Sequence, residues 1–516
     1  MRAPAFRAGA AALVVVAAAT YGCASLPPLG ERAASVALAG TADTRLGQAI
    51  APLAAGHPGL SGIHPLSDGR DAFAARVLFA RAAERSLDVQ YYIWRNDLTG
   101  TLMLDALRSA AARGVRVRLL LDDNNTAGLD PALAAFDREP NVEVRLFNPF
   151  RNREWRSLGY LLDFMRLNRR MHNKSFTVDN QATIVGGRNI GDEYFGAAGD
   201  MLFVDLDVLA VGQVVGEVSR DFDRYWNSAS AYPVAALVDP DEAEPAGVLV
   251  QRAASLRQRP EAQRYLEAIR SSPFVEQLVQ RKLALEWSMT RLVSDDPAKV
   301  LGKAERDARM AVHLGKLLGE PKQQLDLVSP YFVPSKDAAR VVGDISRGGA
   351  RVRVLTNSLE ATDVAAVHAG YAKWRRELLD AGVALFELRR RWGPELPETG
   401  RGSLGSSASS LHAKTFGVDG RSVFVGSFNL DRRSIDLNTE MGFVIDSPAL
   451  ARELDRTLDE SIPGSAYEVR LDEDGKLYWL ERSGDRAVRH DEEPGTTIWK
   501  RAGVRILSFL PIDWLL

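Results

Sequence analysis

The chain contains the same nine-residue pattern twice, and this repetition constrains its fold more than any other feature. Residues 171–179 read MHNKSFTVD and residues 411–419 read LHAKTFGVD, so each copy is His-x-Lys-x4-Asp. In the two copies the histidine lies 84 residues after Asp88 and 86 residues after Asp326, and both aspartates stand in apolar strand patterns. A long pattern that recurs in register is typical of a duplicated domain. We therefore predict two halves of one fold in a single chain.

Each half begins with the pattern of a strand, a helix and a second strand. Residues 86–93 and 325–332 are β-rich apolar runs, and residues 115–121 and 351–355 are the strands predicted to follow the helix. A strand, helix and strand in this order form a parallel βαβ unit. The chain has 516 residues, of which 46% are hydrophobic and 26% charged, as expected for a globular protein of several domains. We predict an α/β fold with two mixed β-sheet lobes flanked by helices.

Composition and the repeat together divide the chain into six segments. They are a signal peptide with a lipobox-like end (1–23), a tether with an initial helix (24–65), the first half (66–212), a helical linker or cover (213–320), the second half (321–465) and a C-terminal extension with an amphipathic tail (466–516). The two halves are expected to carry the chemistry, because the repeated motifs fall within them.

Six polar side chains recur in register and form the candidate catalytic set. They are His172, Lys174 and Asn189 in the first half and His412, Lys414 and Asn429 in the second half. Residues two apart in a strand point to the same face, so each histidine should project together with its lysine. Lysines and amides can stabilise phosphoryl oxygens, while one imidazole attacks phosphorus and the other protonates the leaving oxygen. The pattern indicates phosphodiester chemistry that requires neither a metal ion nor another cofactor.

Each imidazole also needs a partner on its second nitrogen to fix its tautomer. Asp207 in LDVLAV and Glu440 in NTEMGFV are the candidates, because a carboxylate in an apolar strand is unusual unless it is paired. An ordinary salt bridge is the alternative role for both.

The first 23 residues have the pattern of a secretory signal. Arg2 and Arg7 precede an apolar run at 8–19, and Gly22 precedes Cys23, the single cysteine of the chain. A small residue before a cysteine is typical of a bacterial lipoprotein, in which that cysteine is lipidated; a simple signal anchor is the alternative. Either interpretation predicts a membrane-anchored protein of the bacterial cell envelope, with its catalytic body outside the cytoplasm.

The charge of the chain favours a lipid partner over a nucleic acid. The net charge of −2 provides no overall basic field for binding nucleic acid. Residues 153–169 and 498–516 combine apolar side chains with interleaved cations, a pattern typical of a membrane interface and also of packing against the protein itself. We predict a membrane surface as a partner.

The two motifs, with the Gly/Ser and Asn extensions that follow them, resemble the phospholipase D superfamily over roughly residues 65–460. The segments DVQYYIW (88–94), LLDDNN (120–125), LNRRMHNK (167–174) and VGGRNIGD (185–192) are more narrowly similar to bacterial cardiolipin synthases of the C type. The resemblance implies a two-lobed fold with one active site at the pseudo-twofold interface. The secretory start departs from the more typical cardiolipin synthase pattern.

The same resemblance also implies a mechanism. It assigns His172 as the nucleophile that carries a phosphatidyl-histidine intermediate, His412 as the acid, and phosphatidylglycerol as the acceptor. Phosphatidylethanolamine is a further candidate substrate. Asp179 and Asp419, the last residues of the motifs, receive supporting roles.

Two other functions remain open at this stage. A hydrolytic phospholipase D that releases phosphatidic acid would use the same catalytic residues, and only the access of water to the intermediate would distinguish it. A non-catalytic lipid-binding lipoprotein would require the six polar groups to be relics of an inactive copy. A phosphodiesterase acting on nucleic acid is disfavoured by the near-neutral charge.

The N-terminal pattern yields a first prediction. Cys23 should become the lipidated N-terminus of the mature protein, so Cys23→Ser should release the body from the membrane or leave the precursor uncleaved. Intact-mass analysis of the native protein and membrane fractionation of the variant measure both outcomes. An unprocessed N-terminus in the native protein would contradict the prediction.

Overall fold

The computed structural model describes residues 26–29, 32–197, 201–390, 408–484 and 486–509. The predicted signal segment with Cys23 and the last seven residues of the predicted tail lie outside this part of the chain.

Twenty strands are described, nine of them before residue 240. These nine are β1 (Ser61–Leu66), β2 (Ser86–Ile93), β3 (Arg116–Asn125), β4 (Val142–Phe147), β5 (Ser175–Val178), β6 (Ala182–Gly186), β7 (Met201–Val204), β8 (Asp207–Gly212) and β9 (Ala231–Pro233). The other eleven are β10 (Glu286–Ser294), β11 (Gln324–Val328), β12 (Arg351–Asn357), β13 (Ala384–Leu388), β14 (Ala408–Leu411), β15 (Thr415–Val418), β16 (Ser422–Gly426), β17 (Met441–Asp446), β18 (Ala466–Leu471), β19 (Leu477–Ser483) and β20 (Arg486–His490).

Eighteen of these strands form one mixed sheet that runs through both halves. From edge to edge the order is β9-β4-β3-β2-β5-β6-β8-β1-β10-β17-β16-β15-β11-β12-β13-β18-β19-β20. Only the trios β2-β3-β4 and β11-β12-β13 are parallel within it. Counted outward from the central β1–β10 pair, the strands of the first half (β8, β6, β5, β2, β3 and β4) correspond one by one to those of the second half (β17, β16, β15, β11, β12 and β13). The sheet therefore has the predicted twofold repeat. The predicted α/β fold of two duplicated halves is confirmed.

Helices flank the sheet in both halves. The α-helices are Arg45–Ala55, Gly69–Ala82, Leu98–Ala111, Asp130–Asp137, Arg156–Leu162, Phe164–Leu167, Asp192–Phe195, Gln213–Trp226, Val248–Arg257, Pro260–Arg270, Pro273–Val279, Met310–Leu318, Lys336–Arg347, Ala365–Ala372, Arg375–Asp380, Pro448–Arg456, Ile462–Ser465 and Ile498–Ser508. The helices that follow β2 and β11 start at equivalent caps, where the side chains of Asp97 and Ser335 accept the N–H groups of Gly100 and Ala338. Such caps satisfy backbone donors that have no partner within the helix. Within the described residues, no helix has the length and apolar character needed to cross a membrane.

Two strands at the centre of the sheet lie in segments that were not predicted to contain strands. β1 lies in the predicted tether and β10 in the predicted helical cover, yet they pair with β8 and β17 and fill the centre of the sheet. The strand β10 has buried Ser288 and Thr290 and an exposed Met289 between them. Its polar side chains face inward, so the apolar alternation that reveals a strand is absent from this segment.

An apolar cluster holds the two halves together at the centre of the sheet. Val185 and Val208 of the first half share this cluster with Val423, Phe443 and Ile445 of the second half. Burial of one such side chain stabilises a fold by about 1.5–3 kcal/mol. The halves are therefore parts of one packed unit, and groups on either side of the junction are held in fixed positions.

Candidate active site

Both His-x-Lys motifs lie on the side of the sheet where the parallel strands β2 and β11 end, beside the junction of the halves. Each motif leads into a strand, β5 or β15, that runs antiparallel to the first parallel strand of its half. The backbone N–H of His172 donates to Thr439 O at 2.8 Å, and that of His412 donates to Val204 O at 2.8 Å. Each histidine is thus anchored by the backbone of the opposite half.

Carboxylates cross the junction in the same way. His172 Nδ1 lies 2.8 Å from Glu440 Oε2, and His412 Nδ1 lies 2.5 Å from Asp205 Oδ2. In both pairs the histidine comes from one half and the carboxylate from the other. Two reciprocal His–carboxylate pairs therefore form a single site at the pseudo-twofold interface.

The carboxylate on His412 is Asp205, whereas the sequence pointed to Asp207. Asp207 forms a buried ion pair with Arg76 at 2.8 Å and accepts the backbone N–H of Arg188 at 3.1 Å. Arg76 and Arg188 engage its carboxylate, and among the described residues no hydrogen bond joins it to either imidazole. The assignment of Asp207 as an orienting group is therefore corrected.

Asp205 can be identified by comparing equivalent strand pairs in the two halves. Gly186 pairs with Asp207 in the first half, as Gly426 pairs with Gly442 in the second half. The residue two positions before each partner is Asp205 in one half and Glu440 in the other. Alignment of the halves by these strand pairs, rather than by the nearest acidic residue, places the two carboxylates in equivalent positions.

The carboxylates of Asp205 and Asp207 leave no room for a side chain at Gly187 and Gly186. A Cβ on Gly187 would lie 2.1 Å from Asp205 Oδ1, and a Cβ on Gly186 would lie 2.2 Å from Asp207 Oδ1. Both distances are far below van der Waals contact, so any side chain would displace a carboxylate.

Both lysines of the motifs are buried and lie against their own histidines. Lys174 Nζ donates to His172 O at 2.6 Å, and Lys414 Nζ lies 3.0 Å from His412 Nδ1. Burial lowers the pKa of Lys174 to about 7 and that of Lys414 to about 8. The nearby carboxylates Glu440 and Asp205 oppose this shift and favour the charged ammonium groups.

The two asparagines present amide atoms without a protein partner. Asn189 Oδ1 accepts the N–H of Ile93 at 3.1 Å. Within the described residues, Asn189 Nδ2 and Asn429 Oδ1 are buried and accept or donate no hydrogen bond. Buried polar atoms without a partner are uncommon and require an explanation, and these two belong to the repeated set of polar side chains. The Asn189 N–H group is therefore available to an oxygen of a bound phosphate, whereas Asn429 Oδ1 can accept a hydrogen bond from a hydroxyl.

The histidines are neutral in the unliganded protein. Burial lowers the pKa of His172 to about 4 and that of His412 to about 3, and the two lysines act in the same direction. Each paired carboxylate opposes the shift, and the imidazolium lowers the carboxylate pKa in return. A phosphate anion between the lysines would offset their charge and raise the histidine pKa values.

Each imidazole also has an aromatic neighbour that the sequence analysis did not identify. The ring of Tyr92 meets His172 edge-on at 4.9 Å between centroids, and Tyr194 meets His412 at 5.2 Å. Tyr92 belongs to the β2 run and Tyr194 follows the GGRN segment. Tyr194 has no counterpart 22 residues after His412, and Tyr92, although Tyr331 stands at the same place in the run 325–332, resembles an ordinary strand residue.

A hydroxyl and carboxylate network holds Glu440 in place. The hydroxyls of Ser427 and Ser434 donate to its two oxygens at 2.6 and 2.8 Å. Its backbone N–H donates to Asp295, which is paired in turn with buried Lys299 at 2.8 Å. The sequence analysis did not predict these four residues, and Asp295 and Lys299 lie in the segment predicted as a helical cover.

The aspartates that end the motifs lie in the scaffold. Asp179 accepts the backbone N–H groups of residues 84–86, and Asp419 accepts those of residues 322–324. Both occupy turns with positive φ. They hold the starts of β2 and β11, a placement that suits the supporting role expected of them. Among the described residues, no group of three or more His, Cys, Asp and Glu side chains could hold a metal ion.

The duplicated sheet and the paired His-x-Lys motifs define a phospholipase D-type site built from two halves. A family model described as cardiolipin synthase, PLD-like domain, matches residues 79–226 and 314–462. The chain is 50% identical over 472 residues to cardiolipin synthase C of Escherichia coli strain K12, covering 92% of this chain and 100% of that protein.

Two further comparisons agree with this match. An uncharacterized protein of Helicobacter pylori strain J99 is 32% identical over 443 residues, which cover 84% of this chain and 86% of that protein. The crystal structure of phosphatidylserine synthase from Haemophilus influenzae has the same fold, with a TM-score of 0.56 at 15% identity over 92% of this chain and 100% of that one. The chain belongs to the cardiolipin synthase family of the phospholipase D superfamily, and it is an enzyme of the phosphatidyltransferase type.

The two neighbouring aspartates should differ in their effects on substitution. Asp205→Asn should lower kcat by about 100-fold or more, because His412 loses its charge partner while the fold is retained. Asp207→Asn should instead lower the free energy of unfolding by about 3–5 kcal/mol, because it leaves Arg76 buried without its ion pair. Steady-state turnover and thermal unfolding of both variants measure the difference. The reverse pattern would restore Asp207 as the orienting group.

The lysine pKa values predict an alkaline limit to activity. In the free enzyme the ammonium charges are lost as the pH rises through about 7 to 8, so kcat/KM should fall over that range. The limb in kcat should lie at higher pH, because a bound phosphate anion favours the charged lysines. Rates on a short-chain soluble phospholipid between pH 5 and 10 measure both limbs. A kcat/KM that stays constant to pH 9 would contradict the prediction.

Proposed function

We propose that the enzyme forms cardiolipin by moving a phosphatidyl group, through a phosphohistidine intermediate, to the hydroxyl of phosphatidylglycerol. The observation that carries the proposal is the reciprocal arrangement of His172–Glu440 and His412–Asp205 across the junction. The carboxylates engage both Nδ1 atoms, so the Nε2 atoms remain for phosphorus and for the leaving oxygen. The 50% identity to cardiolipin synthase C over most of the chain supports this reaction over others of the superfamily.

The first step forms a P–N bond and breaks a P–O bond. His172 is uncharged at neutral pH, because burial holds its pKa near 4, and it attacks the phosphorus of the donor lipid as a nucleophile. The donor alcohol leaves with a proton from His412, taken up when the anionic phosphodiester offsets the charge of the lysines. The resemblance to the superfamily, and not the order of the two histidine pKa values, assigns this proton to His412 rather than to His172. Glu440 stabilises the positive charge that forms on the attacking imidazole.

The second step reverses these roles. His412, now neutral, accepts the proton of the acceptor hydroxyl as that oxygen attacks phosphorus and the P–N bond breaks. In both steps the phosphoryl oxygens carry developing negative charge between Lys174 and Lys414. The unpartnered N–H group of Asn189 can donate to the same oxygens, and the unpartnered Oδ1 of Asn429 can accept from the attacking or leaving hydroxyl.

The burial of the site supports transfer to a lipid hydroxyl rather than to water. His172 is 7% exposed, and Lys174, Lys414 and Asn189 are buried more deeply. A transferase must hold the alcohol in line with the departing imidazole and exclude water, which is far more concentrated. Phosphatidylethanolamine fits the same site as an alternative donor, since the reacting phosphodiester is identical.

We also propose that the enzyme works at a bacterial membrane, with its catalytic body outside the cytoplasm and Cys23 as its lipid attachment site. The basic start, the apolar run at 8–19 and the Gly22–Cys23 pair support this location.

Trapping of the intermediate tests the roles of the histidines. His172→Ala should abolish turnover, whereas His412→Asn should accumulate lipid phosphate on His172, because the intermediate forms but lacks its acid/base partner. Intact-mass and peptide mass spectrometry locate the adduct. An adduct on His412 in a His172 variant would exchange the two roles.

The identity of the acceptor is tested by the products. With phosphatidylglycerol supplied in a bilayer, cardiolipin should exceed phosphatidic acid, because the buried site admits the lipid alcohol in preference to water. Lipid mass spectrometry over a range of phosphatidylglycerol densities measures the ratio. If phosphatidic acid alone is formed at every density, the hydrolytic alternative replaces the transferase.

A further inference from the structure

Exposed apolar side chains are concentrated in two short segments of the described chain. Of eighteen large exposed hydrophobic residues, five lie between 155 and 165 and four between 498 and 509. They are Trp155, Leu158, Leu161, Leu162 and Met165 in the first segment and Ile498, Trp499, Ile506 and Phe509 in the second. Soluble proteins rarely expose contiguous apolar patches of this kind without a partner.

Ion pairs and an aromatic contact anchor the first segment, residues 155–165, to the rest of the protein. Arg153 forms ion pairs with Asp123 and Asp130, and the ring of Phe150 packs edge-on against Tyr160 at 5.2 Å. Leu161 nevertheless remains 79% exposed. Its exposure is therefore a property of a well-anchored surface.

The same segment is connected to the catalytic histidine. The hydroxyl of Tyr160 donates to Asn124 Oδ1, and Asn124 Nδ2 donates to the hydroxyl of Tyr92 at 3.3 Å. Tyr92 is the ring that meets His172 edge-on. Only three side chains separate the exposed patch from the nucleophile, so the patch lies at the rim of the active site.

The second segment is an amphipathic helix with its apolar stripe turned outward. Val504 is buried against Leu359 and Ala369. At about 100° per residue, the four exposed apolar residues of the segment fall within about 100° of one another, on the side of the helix opposite Val504. Trp499 is 83% exposed. The protein covers one side of the helix and leaves the apolar stripe to another partner.

Both segments lie on the side of the sheet where the parallel strands have their carboxyl ends. Asn124, which anchors the first segment, is at the carboxyl end of β3. Leu359, which contacts the helix and accepts a hydrogen bond from Lys500, follows the carboxyl end of the equivalent strand β12. The His-x-Lys motifs also lie at these strand ends, so both patches are on the side of the sheet that carries the site, one in the first half and one in the C-terminal extension beside the second half.

Charge indicates what the patches meet. Four of the six arginines in residues 151–170 are in ion pairs with carboxylates, and among the described residues Arg151 and Arg169 have no such partner. In residues 498–509, Arg501 pairs with Glu492, and Lys500 and Arg505 remain without a carboxylate partner within the described part of the chain. The whole chain has a net charge of −2. Apolar side chains with tryptophans at the margin and cations beside them suit an anionic bilayer surface.

We propose that residues 155–165 and the helix Ile498–Ser508 together form a docking face that seats the active-site entrance on an anionic phospholipid bilayer. The inference rests on the proposed function in so far as the substrate is a bilayer lipid. In this arrangement Leu161, Leu162, Ile506 and Phe509 enter the acyl region, and the donor lipid reaches His172 without crossing bulk water.

Fluorescence in vesicles tests the contact directly, whatever attaches the N-terminus to the membrane. With the full chain in vesicles that contain phosphatidylglycerol, lipids brominated on the acyl chains should quench Trp155 and Trp499. The difference between the wild type and Trp155→Phe or Trp499→Phe isolates each signal. Trp287→Phe is the matched control, since that indole stacks on His57 and should contribute no quenching. Absence of quenching at both positions, or equal quenching in pure phosphatidylcholine vesicles, would overturn the proposal.

Activity separates docking from catalysis. Leu161→Ser/Leu162→Ser and Ile506→Ser/Phe509→Ser should each lower the rate on phosphatidylglycerol vesicles at least tenfold and leave the rate on monomeric short-chain phosphatidylglycerol unchanged. Val341→Ser, at a residue that is 57% exposed elsewhere, should change neither rate. An unchanged vesicle rate in both double variants would refute the docking face. His172→Ala should abolish both rates and keep the quenching, so activity in that variant would refute the proposed function alone.

Discussion

The structure depends on two hydrogen bonds that cross between its halves, from His172 to Glu440 and from His412 to Asp205. Each half contributes the imidazole of one pair and the carboxylate of the other. Neither half could orient a histidine alone, and this explains why one site is formed from two copies of a fold. The central pairing of β1 with β10 and the apolar cluster at the junction keep the halves in fixed positions. The packing of the sheet centre thus determines the geometry of the chemistry.

The site carries buried charge of both signs, which makes it costly to assemble and suited to phosphate. Lys174 and Lys414 face Glu440 and Asp205 in surroundings that shift the pKa values of all four groups. Unpaired, each charge would cost several kcal/mol in such a place. Paired, they leave the imidazoles neutral and the N–H group of Asn189 without a protein partner, so the arrangement gains interactions when a phosphodiester anion is bound.

Sequence patterns identified the His, Lys and Asn side chains of the site more reliably than the carboxylates that pair with the histidines. The His, Lys and Asn positions repeat at equal spacing, and the structure brings all six to the junction of the halves. Asp207 was chosen because it is the acid inside an apolar strand, but a buried arginine explains its burial, whereas Asp205 lies just before that strand. Tyr92, Ser427 and Asp295 were not found because nothing in their local sequence differs from ordinary strand or turn residues.

The sequence by itself determined the duplication, the parallel βαβ units and the residues that carry the chemistry, because strand periodicity and motif spacing are local properties of a chain. Only the tertiary structure decided which carboxylate meets which histidine, since the paired residues are 207 and 268 positions apart and belong to opposite halves. It also decided that β1 and β10 join the sheet and that two apolar segments remain exposed on the side of the sheet that carries the site. The physical reason is that such relations follow from strand register and from the packing of one half on the other, which no local pattern encodes.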